Sequence, residues 1–145
     1  MNTFELEIWD DEGEKCTFYT VRKEDATLSE TDKFFTRYEN DSHEFHEKAN
    51  ELLVLIQEVI GDTYGATDDF FDRYENKAQA LPPIPKKSIE EIALLGRDFP
   101  LRLYCLRLSE SVVVLFNGGF KNEFTAQQSK DVSFDFQEAR SEEHT

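Results

Sequence analysis

The residues best suited to chemistry are basic side chains in the second half of the chain, accompanied by one tyrosine. They are Lys86, Lys87, Arg97, Arg102, Tyr104, Arg107, Lys121 and Lys130. Fixed cations around a scissile phosphate stabilise the negative charge of a pentacovalent transition state, so such a group can cleave a phosphodiester without a metal ion. The residue types alone are a weak indication, because any strand that faces solvent can carry arginine.

Spacing adds a geometric expectation for three of these residues. Arg102 and Tyr104 alternate with leucines, so burial of the leucines places both on the opposite face of one strand. Lys121 follows the next apolar run after a Gly-Gly pair, which returns it to the same end of the predicted sheet. We therefore expect Arg102 and Lys121 to hold a phosphate, while Tyr104 or a lysine assists proton transfer.

Histidines, cysteines and clustered acids elsewhere do not form a metal motif. His43 and His46 are three residues apart, whereas a helical zinc-protease site needs histidines four apart with a glutamate between them. The acidic runs at 10–12 and 68–69 are typical of a hairpin turn and of a helix N-terminus. Two lone cysteines fit neither a metal site nor a disulfide framework. The sequence therefore predicts no metal and no cofactor.

The composition indicates one soluble domain in the cytoplasm. The chain has 145 residues, and 39% of them are hydrophobic, which is enough for a core despite a net charge of −15. No stretch approaches the roughly 18 uninterrupted apolar residues of a membrane span, and no basic and apolar leader begins the chain. We therefore expect a cytoplasmic protein without a membrane partner.

Charge is distributed unevenly along the chain. Residues 1–75 hold 21 acids and 7 bases, a balance of −14, whereas residues 76–130 hold 5 acids and 8 bases, a balance of +3. A basic segment on an acidic body can still present a local positive surface. An ordinary acidic surface with one less acidic stretch has the same composition, so this alternative stays open.

Apolar periodicity predicts an α+β fold in which an antiparallel sheet packs against two or three helices, with an N-terminal β-hairpin. The predicted strands cover 3–9, 16–21, 101–108 and 112–116, and the predicted helices cover 30–39, 41–61 and 67–79. A Pro-rich link over 81–85 ends the last helix. The continuous apolar run at 112–116 indicates a central strand covered on both faces, which the next glycines terminate.

The two better-defined helices have recognisable starts. Ser29 can cap the first, and Asp41 with Glu44 forms a capping-box pattern for the second, which should end before Gly61. The second helix also carries a core-facing stripe at spacings of three and four. The stripe includes Leu52, Ile56 and Val59, which we expect to pack against the strand at 112–116.

A ten-residue sequence occurs twice. Residues 31–40 and 67–76 are identical at eight of ten positions, which predicts two similar amphipathic helices. Helical solenoids need about three repeats to bury a continuous core, so two copies do not indicate one.

The last six residues match the translation of a sequencing adapter. Residues 140–145 are what AGA-TCG-GAA-GAG-CAC-ACG specifies, and that string begins a widely used sequencing adapter. We therefore expect a single domain over 1–139, a native chain that continues differently after Ala139, and a non-native tail over 140–145.

The predicted C-terminal hairpin resembles that of RelE-superfamily toxins, and most closely the phage-derived, HigB-like type. Leu101-Arg102-Leu103-Tyr104 and the run from Ser109 to Lys121 resemble the family pattern of "Y-R-aliphatic-aliphatic-Y", a short turn, and "aliphatic-L-L-H-G-F-x-K-K". The likeness covers about 21 residues closely. Asn117 stands where the family often has histidine, and Asn122 replaces the second lysine.

This resemblance implies a small bacterial α+β domain that cleaves messenger RNA, usually on the ribosome, and is silenced by a helix-turn-helix antitoxin. Arg102 matches the arginine of the motif and Lys121 its first lysine, whereas Tyr104 lies one position short of the family aromatic. These three are the expected catalytic residues. The expected RNA-binding residues are Lys86, Lys87, Arg97 and Arg107.

Two other function classes remain open. The balance of −14 in residues 1–75 favours a non-catalytic module on the same fold that docks a basic partner through its acidic half. A structural, phage-derived protein with neither role is the third possibility.

Overall fold

A computed structural model describes residues 4–71, 78–83, 90–95 and 98–121 of the chain. It confirms the α+β class, with helices on one face of a five-stranded sheet. The strands are β1 (Phe4–Asp10), β2 (Thr17–Lys23), β3 (Gln79–Leu81), β4 (Leu101–Ser109) and β5 (Val112–Phe120). The helices are α1 (Glu30–Arg37), α2 (His46–Val54), a π-helix (Leu55–Tyr64) and α3 (Glu90–Leu95).

The sheet has the order β1-β2-β5-β4-β3. It is mixed, whereas the sequence predicted a wholly antiparallel sheet. The N-terminal hairpin β1–β2 and the C-terminal hairpin β4–β5 are antiparallel, as expected, and so is the β3–β4 pair. The exception is β2 with β5, which pair in parallel from Thr17 opposite Val112 to Thr20 opposite Leu115. A long crossover, which contains the helices, joins these two strands and allows them to run in the same direction.

Strand β5 continues through the glycines that were predicted to end it. It includes Asn117, Gly118 and Gly119 and ends at Phe120. A Cβ atom on Gly118 would lie 1.8 Å from the carbonyl oxygen of Arg102, so only glycine allows β4 to approach this closely. The pairing register shifts just beyond this point, between Leu103 and Cys105. The glycine therefore accommodates an irregularity within the strand pair.

Helix α1 follows its prediction closely. The Ser29 hydroxyl accepts a hydrogen bond from the Asp32 N–H at 3.1 Å, as an N-cap should. The same helix is joined to two strands, because the buried Thr31 hydroxyl lies 2.7 Å from that of Thr20 and donates to the Phe116 carbonyl at 3.0 Å. These bonds satisfy buried hydroxyls and fix α1 over β2 and β5.

Both ends of the predicted 41–61 helix were wrong. Helix α2 begins only at His46, because turns occupy the preceding residues: the Ser42 N–H donates to Asn40 Oδ1, and the Phe45 N–H donates to His43 Nδ1. The expected capping box of Asp41 and Glu44 is therefore replaced by these two local bonds. At the other end, the helix continues past Gly61 as a π-helix.

The π-helix ends at Gly65, whose φ of +84° suits glycine. Within it, the carbonyl of Gly61 accepts hydrogen bonds from the N–H groups of Lys15 and Cys16, at 2.8 and 3.0 Å. Gly61 lies in the last turn of the helix, where backbone carbonyls have no partner within the helix. The end of the π-helix thus links the hairpin to the helical layer.

The third predicted helix, over 67–79, was also wrong where the structure describes it. Residues 67–71 form turns, and Gln79–Leu81 is strand β3, which pairs with β4 at the edge of the sheet. Residues 72–77 lie outside the described part of the chain, as do the predicted domain boundary at Ala139 and the tail over 140–145.

Two hydrophobic clusters cover the two faces of the sheet, so the central position predicted for 112–116 is confirmed. Val113 and Leu115 of β5 face the helices, whereas Val114 and Phe116 belong to a smaller cluster on the opposite face. From the helical stripe, Leu52 and Ile56 are fully buried in the larger cluster and Val59 is partly buried against it. In the described ranges, no helix is both long and apolar enough to cross a membrane.

Candidate functional site

The β4–β5 hairpin brings Arg102 and Lys121 to the same end of the sheet, as the sequence predicted. Arg102 lies opposite Gly119 in the register, and the Lys121 N–H donates to the Pro100 carbonyl at 2.8 Å. The turn that leads into β4 therefore lies directly beside the residue that follows β5. We call this region the hairpin base, comprising residues 98–102 and 117–121.

Arg102 stabilises the turn of the hairpin base. Its Nη1 donates to the carbonyls of Phe99 and Leu101, each at 2.8 Å. The side chain is half-buried on the face of β4 opposite the helices, because Leu101 and Leu103 on either side of it enter the core. Arg102 thus supplies a fixed positive charge, and it also has a structural role that any substitution must take into account.

Lys121 is held more loosely. Its Nζ lies 3.8 Å from Asp98 Oδ1, but the Asp98 side chain is 99% exposed, so water screens the pair. An exposed ion pair of this kind contributes little to stability, and an incoming anion can displace the carboxylate. Lys121 therefore remains available as a cation for a phosphate.

Tyr104 shares the face of β4 with Arg102, as expected from their spacing. Burial raises the pKa of the Tyr104 hydroxyl, and the nearby positive charge of Arg102 lowers it by a smaller amount. The net effect leaves the phenol protonated at neutral pH. Tyr104 is therefore suited to donate a proton and poorly suited to accept one.

Two further cations at the hairpin base were missed in the sequence. Arg37, at the end of α1, donates from Nη1 to the Gly118 carbonyl at 2.7 Å and from Nη2 to Asn117 Oδ1 at 2.6 Å. Lys48 of α2 lies with its Nζ 5.7 Å from the centre of the Phe99 ring. Arg37 lies about 80 residues before its partners and Lys48 about 50 before Phe99, and nothing in the local sequence pattern links them to this hairpin.

Arg107 does not belong to this site, which corrects its predicted role in RNA binding. It is 3% exposed and lies on the helix-facing side of β4, since the alternation that buries Leu103 and Cys105 continues to it. Its guanidinium pairs with Asp68 at 2.9 Å, donates to the Ala66 carbonyl at 3.0 Å and lies over the ring of Phe71. These partners inside the protein balance the positive charge of Arg107.

No family model, curated protein or solved structure matches this chain. The resemblance to RelE-superfamily toxins therefore rests on the hairpin residues alone.

The remaining candidates are three basic residues and two histidines. Lys86, Lys87 and Arg97 lie outside the described residues. His43 accepts a backbone hydrogen bond, and His46 Nδ1 lies 2.8 Å from the Tyr38 carbonyl, so both histidines have local structural partners. Among the residues that the structure describes, no group of three or more His, Cys, Asp or Glu side chains could hold a metal ion.

Proposed function

We propose that this chain is a toxin-like component of a bacterial toxin–antitoxin module and cleaves messenger RNA without a metal ion. The observation that carries the proposal is the convergence of Arg102 and Lys121 at the hairpin base, in the motif positions of the RelE-like hairpin. Arg37 and Lys48 lie at the helical side of the hairpin base, whereas the Arg102 side chain lies on the opposite face, and Lys48 also pairs with Glu51 at 3.1 Å. A helix-turn-helix antitoxin and the ribosome are the partners that the proposal implies.

The chemistry requires only the RNA, these side chains and water. The 2′-oxygen of a ribose attacks the adjacent phosphorus, forming a 2′,3′-cyclic phosphate while the bond from phosphorus to the 5′-oxygen breaks. Arg102 and Lys121 stabilise the negative charge of the pentacovalent transition state. The phenol of Tyr104 donates its proton to the departing 5′-oxygen, and the proton of the 2′-hydroxyl passes to water.

The first test is cleavage of an end-labelled RNA by the purified chain in excess EDTA. We expect fragments ending in a 2′,3′-cyclic phosphate, and a loss of rate of about 10²-fold or more for Lys121→Ala. Lys15→Ala is the matched control, because it removes the same charge from an exposed position in the turn between β1 and β2. Equal loss in both variants, or no cleavage by the parent chain, would contradict the proposal.

Arg102 needs a more careful pair of variants because its guanidinium also holds the turn. Arg102→Ala removes both the charge and the bonds to Phe99 and Leu101, whereas Arg102→Lys keeps the charge. We expect Arg102→Lys to retain more activity than Arg102→Ala at a comparable melting temperature. In cells, inducible expression should arrest growth, and Arg102→Ala should relieve the arrest.

The second candidate function is the non-catalytic acidic binding module. The specific observation in its favour is the exposure of Leu6 and Ile8 beside acidic residues in β1. If expression leaves growth and translation unaffected and purified RNA stays intact, this function replaces the first.

A further inference from the structure

Strand β1 forms one edge of the sheet, at the opposite side from β3 and away from the hairpin base. Among the described residues it pairs with β2 and with no other strand. A strand at a sheet edge presents N–H and C=O groups along its outer side, and an extended segment of another protein can bond to them.

The face of β1 opposite the helices is apolar and open to solvent. Leu6 and Ile8 are 47% and 56% exposed, although both are large hydrophobic residues. Leu6 lies opposite Val21 of β2, which belongs to the smaller hydrophobic cluster. Ile8 lies opposite Tyr19, which packs against that cluster. The exposed side chains therefore extend a buried apolar surface out to the edge. Sheets that avoid partners place charged or proline residues at such positions.

The other face of β1 carries the carboxylates of Glu5 and Glu7 and ends at Trp9, which packs against the larger hydrophobic cluster. Glu5 and Glu7 alternate with the apolar residues, and Glu7 also accepts hydrogen bonds from the Arg22 guanidinium at 3.0 and 3.1 Å. Residues 4–25 hold 8 acids and 3 bases, a balance of −5. A strand added at this edge thus meets apolar side chains on one face and carboxylates on the other.

This charge pattern disfavours a second copy of the chain as the occupant. Antiparallel pairing of β1 with itself would bring Glu5 and Glu7 against the same residues of the other copy, and like charges on facing strands destabilise their pairing. The net charge of −15 opposes self-association further. A partner strand with basic residues has neither difficulty.

We propose that β1 binds an extended segment of a partner protein in which apolar residues alternate with lysine or arginine, and that the segment joins the sheet as an added strand. Its apolar side chains cover Leu6 and Ile8, and its basic side chains face Glu5 and Glu7. The proposal is independent of RNA cleavage, because the hairpin base lies across the sheet from β1.

The binding test uses a fluorescein-labelled peptide of about nine residues that alternates lysine and valine. Fluorescence anisotropy of this peptide with the full chain should show saturable binding that weakens as salt is added. A peptide that alternates glutamate and valine should not bind. A third peptide, with the lysine–valine sequence but N-methylated at alternate residues, should bind at least about tenfold more weakly, since it cannot complete a strand ladder.

Substitutions locate the peptide on the protein. Glu5→Lys and Ile8→Asn should each weaken binding by about tenfold or more. Glu58→Lys makes the same charge change as Glu5→Lys at an exposed position in the helical layer, and it should weaken binding less than about twofold. Arg102→Ala should have no effect. Melting temperatures of all variants verify that they are folded.

Three results would overturn the proposal. The first is absence of binding by the lysine–valine peptide, and the second is equal binding of its N-methylated form. The third is equal weakening of binding by Glu5→Lys and Glu58→Lys, which would mean that the peptide responds only to the net charge of the protein. None of them bears on RNA cleavage, which the Lys121→Ala comparison tests separately.

Discussion

Arg102 and Arg107 lie on the same strand, but their environments give them different roles. Arg102 faces away from the helices and is half-buried, whereas Arg107 is buried among the helices and turns on the other face. The five-residue separation reverses the face because side chains alternate along a strand. Residue type predicted two surface cations here, and only the position in the alternation distinguishes them.

The buried guanidinium of Arg107 should be important for stability. Arg107→Ala removes a donor to the Ala66 carbonyl and leaves a cavity beside Phe71, so we expect a loss of about 2–4 kcal/mol in urea unfolding. Asp68→Asn is the informative comparison, because it removes the countercharge of the buried Arg107 guanidinium and keeps an amide oxygen that can accept its hydrogen bond. That variant should cost about 1–3 kcal/mol.

The buried thiols should make the free energy of unfolding depend on pH in the alkaline range. Burial raises the pKa of the Cys16 thiol from 9.0 to about 12, so between these values the unfolded chain loses a proton that the folded chain keeps. The free energy of unfolding should therefore fall as pH rises above 9, by about 1.4 kcal/mol per pH unit from this group. Below pH 9 both states hold the proton and the contribution is fully present.

The measurement is the pH dependence of urea unfolding under reducing conditions. The slope for Cys16→Ala should be shallower than that of the parent chain between pH 9 and 11. Cys105, also buried and with a raised pKa, remains in the variant and serves as an internal reference. Identical slopes would show that the Cys16 thiol ionises freely in the folded state.

At the level of elements, the helical stripe can be tested directly. Leu52→Ala and Ile56→Ala each remove a fully buried side chain from the larger hydrophobic cluster, which also contains Val113 and Leu115 of β5, and each should cost about 2–5 kcal/mol. Val54→Ala on the same helix is the control, because Val54 is 47% exposed. It should change the free energy of unfolding by less than about 0.5 kcal/mol. Similar losses at all three positions would mean that helix content, rather than packing, is being measured.

Strand β5 depends on glycine at one position more than at the next. Gly118→Ala places a methyl group against the backbone of β4, which cannot move without disturbing the ladder, and it should cost at least about 2 kcal/mol. For Gly119→Ala, the nearest atom is Arg37 Nη1 at 3.3 Å, at the end of a flexible side chain. We expect a loss of less than about 1 kcal/mol there, measured by the same urea titration.

The repeated sequence shows how far local pattern can predict an element. Residues 31–35 lie in helix α1, but the nearly identical residues 67–71 form turns. The first copy is fixed by the Ser29 cap and by the bonds of Thr31 to the sheet, whereas Thr67 instead caps a short turn by accepting from the Asp69 N–H. Tertiary context decided between the two, and local propensity could not.

At the level of the whole molecule, the sequence predicted which face each strand residue occupies better than it predicted strand partners. Alternation correctly placed Arg102 and Tyr104 together, and the apolar run correctly placed β5 in the centre. Alternation carries no information on which strand lies beside another, so the parallel pairing of β2 with β5 was missed. Local pattern likewise carries no information on which helix lies beside which strand, so Arg37 of α1 and Lys48 of α2 were not assigned to the hairpin base.

Net charge gives a prediction for the molecule as a whole. With a formal charge of −15, the folded chain repels itself more strongly than the expanded unfolded chain does. Raising NaCl from about 20 mM to about 500 mM should screen this repulsion and raise the melting temperature by about 4 °C, equivalent to about 1 kcal/mol. A falling melting temperature would mean that favourable ion pairs, such as Arg22 with Glu7, outweigh the repulsion.

The parallel pairing of β2 with β5 has a consequence for the order of events during translation. Strand β2 emerges from the ribosome early, but its neighbour in the sheet lies about 95 residues later, since Thr17 pairs with Val112. Helix α1 also lacks part of its hydrogen bonding until β5 is made, because its Thr31 and Arg37 side chains donate to carbonyls of β5. The N-terminal half therefore completes its contacts only when synthesis has passed Phe120, and until then the hydrophobic residues that β5 covers lack the strand that buries them.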